Sequence, residues 1–199
     1  MVQWVDKQVF ECASVLRLIT LFRKCAAWCC IHGCYCRRIA AGVLFLYCME
    51  AIKFSEKIIV NAKQEFLFDY TQDYNNRLTW DTFLQKAVLM AAATKAEKGV
   101  KAYCVSKNGL GMETEYVSFN RPRVTAVKMT RGPFLFKAFL GSWTFKALAA
   151  DTTEVTFLYS FKLRFPFTIF RRFITANLRK NVQQRLRDLK GCTETARPV

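Results

Sequence analysis

The sequence predicts an α+β domain, from about residue 49 onward, in which a curved antiparallel sheet of about six to seven strands wraps around a long C-terminal helix. Short helices are expected after the first strand. Two observations set this fold class: a late strand with one aromatic face directly precedes an amphipathic C-terminal helix, and several strand-like stretches separated by turns come before it. A third is composition, because a chain that is 52% hydrophobic and 15% aromatic indicates a wide apolar interior.

The first strand is predicted over residues 52–60, IKFSEKIIV, whose apolar residues alternate and are interrupted only by Glu56. The segment that follows, up to residue 80, carries an apolar or aromatic residue at every fourth position and predicts a helix in two parts. The expected apolar side consists of Phe66, Tyr70, Tyr74 and Leu78. Asn75-Asn76 indicates the break between the parts.

Five further strand-like stretches follow, with turn residues between them. They cover residues 83–93, 100–106, 112–119, 124–130 and 134–149, the last being either one long strand or a hairpin. Asn108-Gly109 predicts a hairpin turn, because both residues tolerate positive φ. Pro122 lacks an amide donor and interrupts the pairing before residue 124.

The last strand has the clearest alternation in the chain. Every odd position from 155 to 165 is apolar, in the order Val, Phe, Tyr, Phe, Leu and Phe, whereas positions 154, 156, 160, 162 and 164 are polar. One face of this strand is therefore expected to be dry and aromatic, and the other to face water.

The final helix is predicted to begin at Pro166 and to run to about Lys190, ending at Gly191. Its apolar stripe consists of Phe170, Ile174, Leu178, Val182, Leu186 and Leu189. A stripe of this length needs an equally long partner, and the concave sheet is the candidate. Residues 192–199 are expected to form a flexible tail.

The charge balance is strongly basic, with 31 Lys and Arg against 15 Asp and Glu, which gives +16 at neutral pH. This indicates either an ordinary basic surface or attraction to an anionic membrane. Nucleic acid is not favoured as a partner, since no helix-turn-helix, zinc-finger or RRM pattern accompanies the charge. The residues expected at a membrane surface are Arg171, Arg172, Arg179 and Lys180. We expect a cytoplasmic protein, peripheral to a membrane.

The first 48 residues have a different composition, because seven of the nine cysteines and the only histidine, His32, lie there. The cysteine spacings, Cys25-x3-Cys29, Cys30-x3-Cys34 and Cys34-x-Cys36, supply no complete set of zinc ligands, so no metal site is expected. No processing signal fits either. We interpret residues 1–48 as translated upstream sequence from a misplaced start site, with Met49 as the true start; a functional or disordered leader is the alternative.

Several motifs resemble those of the START-like (SRPBCC) superfamily, and specifically its polyketide cyclase/dehydrase and lipid-transport branch. One is Asp73-Tyr74-Asn75 followed by Trp80-Asp81 after the first strand. The others are FNRPRV at 119–124, Gly132-Pro133, GSWTF at 141–145 and TTEVT at 152–156. The resemblance covers residues 52–191 and implies a helix-grip fold that binds lipids, isoprenoid quinones, polyketides or hormones between sheet and helix.

A cavity between the aromatic strand face and the C-terminal helix is therefore the expected ligand site, with affinity from apolar contact and orientation from Tyr159. The candidate ligand-binding residues are Trp80, Phe119, Met129, Trp143, Phe145, Phe157, Tyr159, Phe161, Ile174 and Leu178. The favoured function is binding of a hydrophobic small molecule or lipid, with its transport as a further expectation. One alternative is a polyketide cyclase or aromatase, marked by a buried carboxylate or an ordered water cluster facing the pocket; a wholly apolar pocket would argue against it. The other is a protein- or RNA-interaction module, marked by a filled cavity and a basic outer face.

No catalytic constellation accompanies these candidates. The chain has no histidine after residue 32, and it lacks a P-loop, a GxGxxG motif, a nucleophile elbow and an HExxH motif. Glu113 and Glu115 are expected to form surface ion pairs, and Asp73 and Asp81 to cap or bracket the short helices. We therefore favour a non-enzyme and expect no cofactor. The oligomeric state is left open.

Overall fold

The computed structural model describes residues 50–195, all within a unit that begins at Met49. The cysteine-rich segment lies outside the described residues, together with the predictions about its metal binding and about the start of the chain. The last four residues also lie outside them.

A seven-stranded antiparallel sheet and a long C-terminal helix form this unit, as the sequence predicts. The strands are β1 Ile52–Val60, β2 Leu84–Leu89, β3 Lys101–Ser106, β4 Gly111–Asn120, β5 Val124–Arg131, β6 Phe136–Ala149 and β7 Thr152–Leu163. The helices are α1 Gln64–Gln72, α2 Arg77–Trp80 and α3 Arg171–Thr195, the last preceded by a 3-10 turn at Phe167–Phe170.

The strand order is β1-β7-β6-β5-β4-β3-β2, so the first strand pairs with the last one and the remaining strands follow in reverse. The β4–β5 and β6–β7 pairs contain register shifts, which increase local twist and bend a sheet. The sheet therefore curls, and α3 packs mainly against β1 and β7 on the concave side. This leaves the concave face of β2–β5 uncovered by α3.

The strand β7 confirms the predicted alternation, with Val155, Phe157, Tyr159 and Phe161 all buried. The predicted apolar face nevertheless extends two residues beyond the end of the strand. Phe165 is 73% exposed, because the strand ends at Leu163 and the chain turns at Pro166 into the 3-10 turn.

The two-part helix and its break at residues 73–76 are confirmed, but only half of the predicted apolar side is. Tyr70 and Tyr74 are partly buried and pack against the core, whereas Phe66 and Leu78 are exposed. Phe66 stacks on Tyr70 with 5.6 Å between ring centroids, and α1 buries Leu67, Phe68 and Thr71. Phe68 points inward and packs edge-on against Phe145 of β6.

The C-terminal helix begins and ends later than predicted. It starts at Arg171, because Phe167–Phe170 form a 3-10 turn, and Phe170 of the predicted apolar stripe is therefore exposed. The predicted end at Gly191 is wrong, because α3 continues to Thr195. Thr193 is buried and its Oγ1 donates to the carbonyl of Leu189 at 2.7 Å, while Glu194 accepts a hydrogen bond from the backbone amide of Asn61 at 2.9 Å. These contacts outweigh the helix-breaking tendency of one glycine. The first of the residues predicted as tail are therefore helical.

The Asn108-Gly109 hairpin is confirmed, although its turn differs from the expected type. Only Gly109 takes a positive φ, of 78°. The amide of Gly109 donates to the carbonyl of Ser106 at 2.9 Å, and the amide of Ser106 donates to the carbonyl of Leu110 at 3.0 Å. The longer turn needs the left-handed conformation at one position alone, and glycine supplies it without strain.

Candidate functional site

The concave side of the sheet contains a cavity of about 170 Å³. Strands β2 to β7 contribute to its wall, and Leu178 and Arg185 of α3 contribute from the opposite side. The cavity exists because α3 lies over β1 and β7 and leaves the other half of the concave face uncovered. For scale, an apolar cavity of roughly 150 Å³ holds a benzene molecule.

Four of the ten candidate ligand-binding residues lie on the cavity wall. These are Trp143, Phe157, Tyr159 and Leu178. Gly141 lies directly opposite Tyr159 in the β6–β7 register, and a Cβ at that position would stand 3.2 Å from Cε1 of the tyrosine ring. The absence of a side chain at residue 141 therefore leaves room for the Tyr159 ring at the wall.

The other six candidates do not reach the cavity. Trp80, Phe145 and Phe161 are fully enclosed in the hydrophobic core, and Phe119, Met129 and Ile174 are partly buried residues packed against that core. The indole Nε1 of Trp80 is the one buried side-chain polar atom among residues 50–195 without a hydrogen-bond partner. These six residues shape the interior behind the wall.

One wall of the cavity carries a buried ionic cluster that the sequence did not predict. Asp81 follows α2 and has no exposed surface, and its Oδ2 accepts hydrogen bonds from Nε of Arg77 at 3.2 Å and from Nη2 of Arg185 at 2.7 Å. Its Oδ1 accepts from Nε of Arg185 at 3.1 Å. Asp81 occupies the C-cap position of α2, as expected of a residue that brackets this short helix, and its amide donates to the carbonyl of Arg77. Its carboxylate also binds two guanidinium groups, which the sequence did not predict.

The guanidinium groups face the cavity and the carboxylate lies behind them. Arg77 and Arg185 belong to the wall, whereas Asp81 does not. Both cations lie against aromatic rings, with Cζ of Arg185 5.0 Å from the ring centroid of Phe157 and Cζ of Arg77 4.8 Å from that of Trp80. Aromatic faces stabilise such cations without neutralising them.

Tyr159 connects this cluster to the aromatic wall. Its hydroxyl oxygen accepts a hydrogen bond from Nη1 of Arg185 at 2.9 Å. The Tyr159 hydroxyl hydrogen is therefore available to a group inside the cavity. Burial raises the pKa of Tyr159 above its ordinary value, so the phenol stays protonated near neutral pH and keeps that donor.

A second polar group lies on the same wall and is neutral. Tyr116 donates from its hydroxyl to Oε1 of Gln72 at 2.9 Å, and the hydroxyls of Tyr74 and Tyr116 are 3.2 Å apart. Since the Tyr116 hydrogen is used toward Gln72, Tyr74 is the donor of the pair. Burial raises the pKa of both tyrosines. The Cys104 thiol beside them is also neutral, because burial raises its pKa.

The ionisation states of Asp81 and Arg185 are determined by the groups around them. Burial acts to raise the pKa of Asp81, but the positive charges of Arg185 and Arg77 overcome it and hold the pKa below its ordinary value of 3.8. Burial disfavours the charged form of Arg185, but the negative charge of Asp81 raises its pKa. Two cations and one anion thus remain ionised, which gives the cluster one net positive charge.

This arrangement suits binding better than proton transfer. Asp81 accepts hydrogen bonds on both oxygens and has a lowered pKa, so it is a weak base, and it does not face the cavity. Glu113 and Glu115 form surface ion pairs with Lys101 at 3.1 Å and Lys128 at 4.0 Å, as the sequence predicted. Within residues 50–195 no cluster of three metal-ligating side chains is found.

The four residues expected at a membrane surface are all exposed on α3. Arg171, Arg172 and Arg179 line a shallow cleft with Ile52. Arg179 is also engaged with the protein, because its Nε lies 3.1 Å from Oε1 of Glu56 and its Cζ lies 5.4 Å from the ring centroid of Phe54. In the described part of the chain, no helix is long and apolar enough to cross a bilayer.

Exposed apolar side chains surround the start of α3. We call them the aromatic patch; it consists of Phe134, Phe165, Ile169, Phe170 and Phe173. Phe134 packs edge-on against Phe167 with 6.4 Å between ring centroids, which joins the β5–β6 loop to the 3-10 turn. The neighbouring Pro133 lies on the cavity wall, so the patch adjoins the cavity.

Sequence reasoning missed the ionic cluster, although two of its features are visible in the sequence. Arg77 and Asp81 have i,i+4 spacing, which places both side chains on one side of a helical turn. Arg185 lies within the apolar stripe of α3, between Val182 and Leu189, where a buried cation requires a partner. An arginine inside an apolar stripe was the observable indication of a buried charged site.

The sequence matches the profile of the family described as polyketide cyclase/dehydrase and lipid transport over residues 51–192. No curated protein has a significantly matching sequence. Among solved structures, the Zhui aromatase/cyclase from Streptomyces sp. R1128 is similar with a TM-score of 0.64 and 13% identity, over 73% of this chain and 94% of that one. A START superfamily protein from Mycobacterium smegmatis gives a TM-score of 0.60 and 12% identity, over 73% and 99%.

The di-domain ARO/CYC BexL, from the BE-7585A biosynthetic pathway, is similar with a TM-score of 0.61 and 13% identity. The match covers 72% of this chain but only 46% of BexL, so this chain spans about half of that protein. At these identities the three structures show a common fold.

Proposed function

The chain belongs to the polyketide cyclase/dehydrase and lipid transport family, and on this basis we propose that it binds a hydrophobic small molecule or lipid between its sheet and its C-terminal helix. The observation that carries the proposal is the cavity of about 170 Å³ on the concave side of the sheet. Its wall combines aromatic and aliphatic side chains with a few polar groups that converge from Tyr159, Arg77 and Arg185. Small-molecule sites commonly have this composition.

Affinity would come mainly from apolar area removed from water, at roughly 25 cal/mol per Å². Trp143 and Phe157 supply a large rigid surface, with 4.2 Å between their ring centroids. Rigid aromatic walls lose little side-chain entropy when a ligand binds. Tyr159 is placed to orient a ligand oxygen, because its hydroxyl hydrogen is not used within the protein.

The other two functions are less well supported. A cyclase or aromatase was expected to have a carboxylate facing the pocket, and the buried carboxylate Asp81 lies behind two guanidinium groups instead. An interaction module was expected to have a filled interior, and the concave side contains a cavity. Binding without a chemical step accounts for both observations.

The first test is identification of a bound molecule by native mass spectrometry and organic extraction of the purified full-length protein. The second is a titration with the neutral fluorescent probe N-phenyl-1-naphthylamine. Val127→Trp places a large ring on the cavity wall and should lower probe affinity by about tenfold or more. Val88→Trp is the control, because Val88 is an exposed strand residue away from the wall. Equal loss in both variants, or no probe binding in either variant or the parent protein, would contradict the proposal.

We also propose that the protein takes up or releases its ligand at an anionic membrane surface, as a peripheral protein. Arg171, Arg172 and Lys180 are exposed, and the aromatic patch lies next to them. Apolar side chains that enter a headgroup region beside basic residues are the usual features of interfacial binding. The patch adjoins the cavity at Pro133, which would bring the ligand entrance close to the bilayer.

Co-sedimentation with vesicles tests this second proposal. Binding to vesicles with 30% phosphatidylserine should exceed binding to phosphatidylcholine vesicles and should fall as salt increases; the composition is chosen at roughly physiological anionic content. Arg171→Glu with Arg172→Glu should lower the binding constant by at least about tenfold, since each nearby basic residue contributes about 1 kcal/mol. Lys107→Glu with Lys146→Glu makes the same change in net charge elsewhere and should have a small effect. Equal effects would point to net charge alone.

A further inference from the structure

The charge of the buried cluster is unbalanced where it faces the cavity. Arg77 and Arg185 are 7% and 5% exposed and share one carboxylate, Asp81. The other titratable side chains on the wall, Tyr74, Cys104, Tyr116 and Tyr159, have raised pKa values and are neutral. No carboxylate of the described residues lies on the wall. A buried positive charge without a counter-charge is costly, and it is stabilised when an anion binds next to it.

Some hydrogen-bond donors at this wall also have no acceptor among the described residues. Asp81 accepts on both oxygens and has little capacity for more donors. Arg77 uses Nε toward Asp81 and Nη1 toward the carbonyl of Thr71, and no group of the described residues accepts from its Nη2. Nη2 of Arg77 thus has no acceptor among the described residues, and Arg77 belongs to the cavity wall. Tyr159 offers its hydroxyl hydrogen from the same wall.

We infer that the ligand carries one anionic oxygen group, a carboxylate or an ionised enol or phenol, which binds at Nη2 of Arg77 and the hydroxyl of Tyr159. The apolar body of the ligand then lies along Trp143 and Phe157. This inference rests on the proposed function, because it specifies the chemistry of the ligand in the same cavity. Arg77 and Arg185 share the single carboxylate of Asp81, so one positive charge of the cluster has no counter-charge among the described residues.

Matched acid and ester probes test the inference. Benzoate and 2-naphthoate carry the carboxylate on one or two aromatic rings, a size suited to a cavity slightly larger than the roughly 150 Å³ that holds benzene. Their methyl esters have the same rings without the charge. Titration calorimetry of the full-length protein at pH 7 should show at least one acid binding about tenfold or more tightly than its ester. Charged hydrogen bonds in a buried site are about twice as strong as neutral ones.

Variants then locate the acid group. Arg77→Gln should remove most of the acid preference, and Tyr159→Phe should reduce it about three- to tenfold, while ester affinity changes little. Arg121→Gln is the control, because Arg121 pairs with the exposed Asp69 and neither residue lies on the wall. The ratio of acid to ester affinity is measured within each folded variant, so loss of stability does not imitate the effect. Circular dichroism identifies any variant that fails to fold, and Arg77→Lys, which keeps the charge, then replaces Arg77→Gln and should retain part of the preference.

The outcomes separate the two proposals. Esters that bind as tightly as the acids, or an acid preference unchanged in both Arg77→Gln and Tyr159→Phe, would overturn the inference and leave the hydrophobic cavity standing. If neither the acids nor the esters nor N-phenyl-1-naphthylamine bind, the proposed function and the inference both fall.

Discussion

Nη2 of Arg185 lies 2.7 Å from Oδ2 of Asp81, although the two residues are 104 positions apart in the chain. Both side chains are almost fully enclosed, at 6% and 0% exposure. The contact joins α3 to the segment after α2, and it holds a guanidinium group at the cavity wall. The stability of the fold and the form of the cavity wall therefore depend on the same ion pair.

Replacement of Asp81 should be strongly destabilising. Asp81→Asn leaves two buried guanidinium groups without a counter-charge, and breaking one partner of a buried ion pair costs about 3–5 kcal/mol. The free energy of unfolding in urea, followed by tryptophan fluorescence, measures this. Asp69→Asn is the matched control, because Asp69 pairs with Arg121 at 2.7 Å but both side chains are about half exposed. The control should cost less than about 1 kcal/mol, and equal losses would contradict the prediction.

The contribution of Asp81 should also depend on pH in a defined direction. Its pKa is lower in the folded protein than the ordinary value of 3.8, so the unfolded chain binds a proton more readily. The stabilisation is therefore fully present above about pH 5 and is lost as the pH falls through the lower, folded pKa. The difference in unfolding free energy between the parent protein and Asp81→Asn should shrink between pH 5 and pH 2. A difference that stays constant would show that Asp81 is not the titrating group.

Substitution of Gly141 should affect the cavity more than the fold. An alanine Cβ would lie 3.2 Å from Cε1 of Tyr159, so the ring must shift by a few tenths of an ångström. We expect Gly141→Ala to lower affinity for N-phenyl-1-naphthylamine several-fold, with an unfolding free energy reduced by about 1–2 kcal/mol, as for mild overpacking. Unchanged affinity would mean that the Tyr159 ring moves without consequence for the cavity. Gly141→Ser should give the larger effect of the two.

Removal of the last helical turn should be destabilising. A chain ending at Gly191 loses the buried Thr193 and the hydrogen bond that Glu194 accepts from Asn61, which together are expected to lower the unfolding free energy by about 1–2 kcal/mol. A chain ending at Thr195 keeps both contacts and serves as the control. Thermal unfolding of the two truncated chains distinguishes a structural last turn from a dispensable one.

The outline of the fold was predictable because it depends on local patterns. The alternation in β7 and the stripe of α3 each report which side of an element is buried, and the structure confirms them from Val155 to Phe161 and from Val182 to Leu189. The predictions of buried faces and helix ends were wrong where a specific contact outweighs the local sequence pattern. Phe66 stacks on Tyr70 and remains exposed, and Thr193 holds the helix past Gly191.

The predicted residues that lie on the cavity wall are the apolar ones and one polar residue, Tyr159. Trp143, Phe157 and Leu178 were expected from the face they occupy, and they lie on the cavity wall. The ionic cluster depends on contacts between residues far apart in the chain, and no local periodicity reports such contacts. The position of Arg185 within the apolar stripe indicated a buried cation, but nothing in the sequence identified Asp81 and Arg77 as its neighbours.

The separation of Asp81 from Arg185 has a consequence for synthesis of the protein. A ribosome adds residues from the N-terminus, so strands β1 to β7 emerge before α3. Until the last helix leaves the ribosome, the aromatic concave face has no cover and the Asp81–Arg77 pair has no second cation. The nascent chain thus passes through a stage that exposes apolar surface to chaperones, and the cavity wall is complete only after α3 has been synthesised.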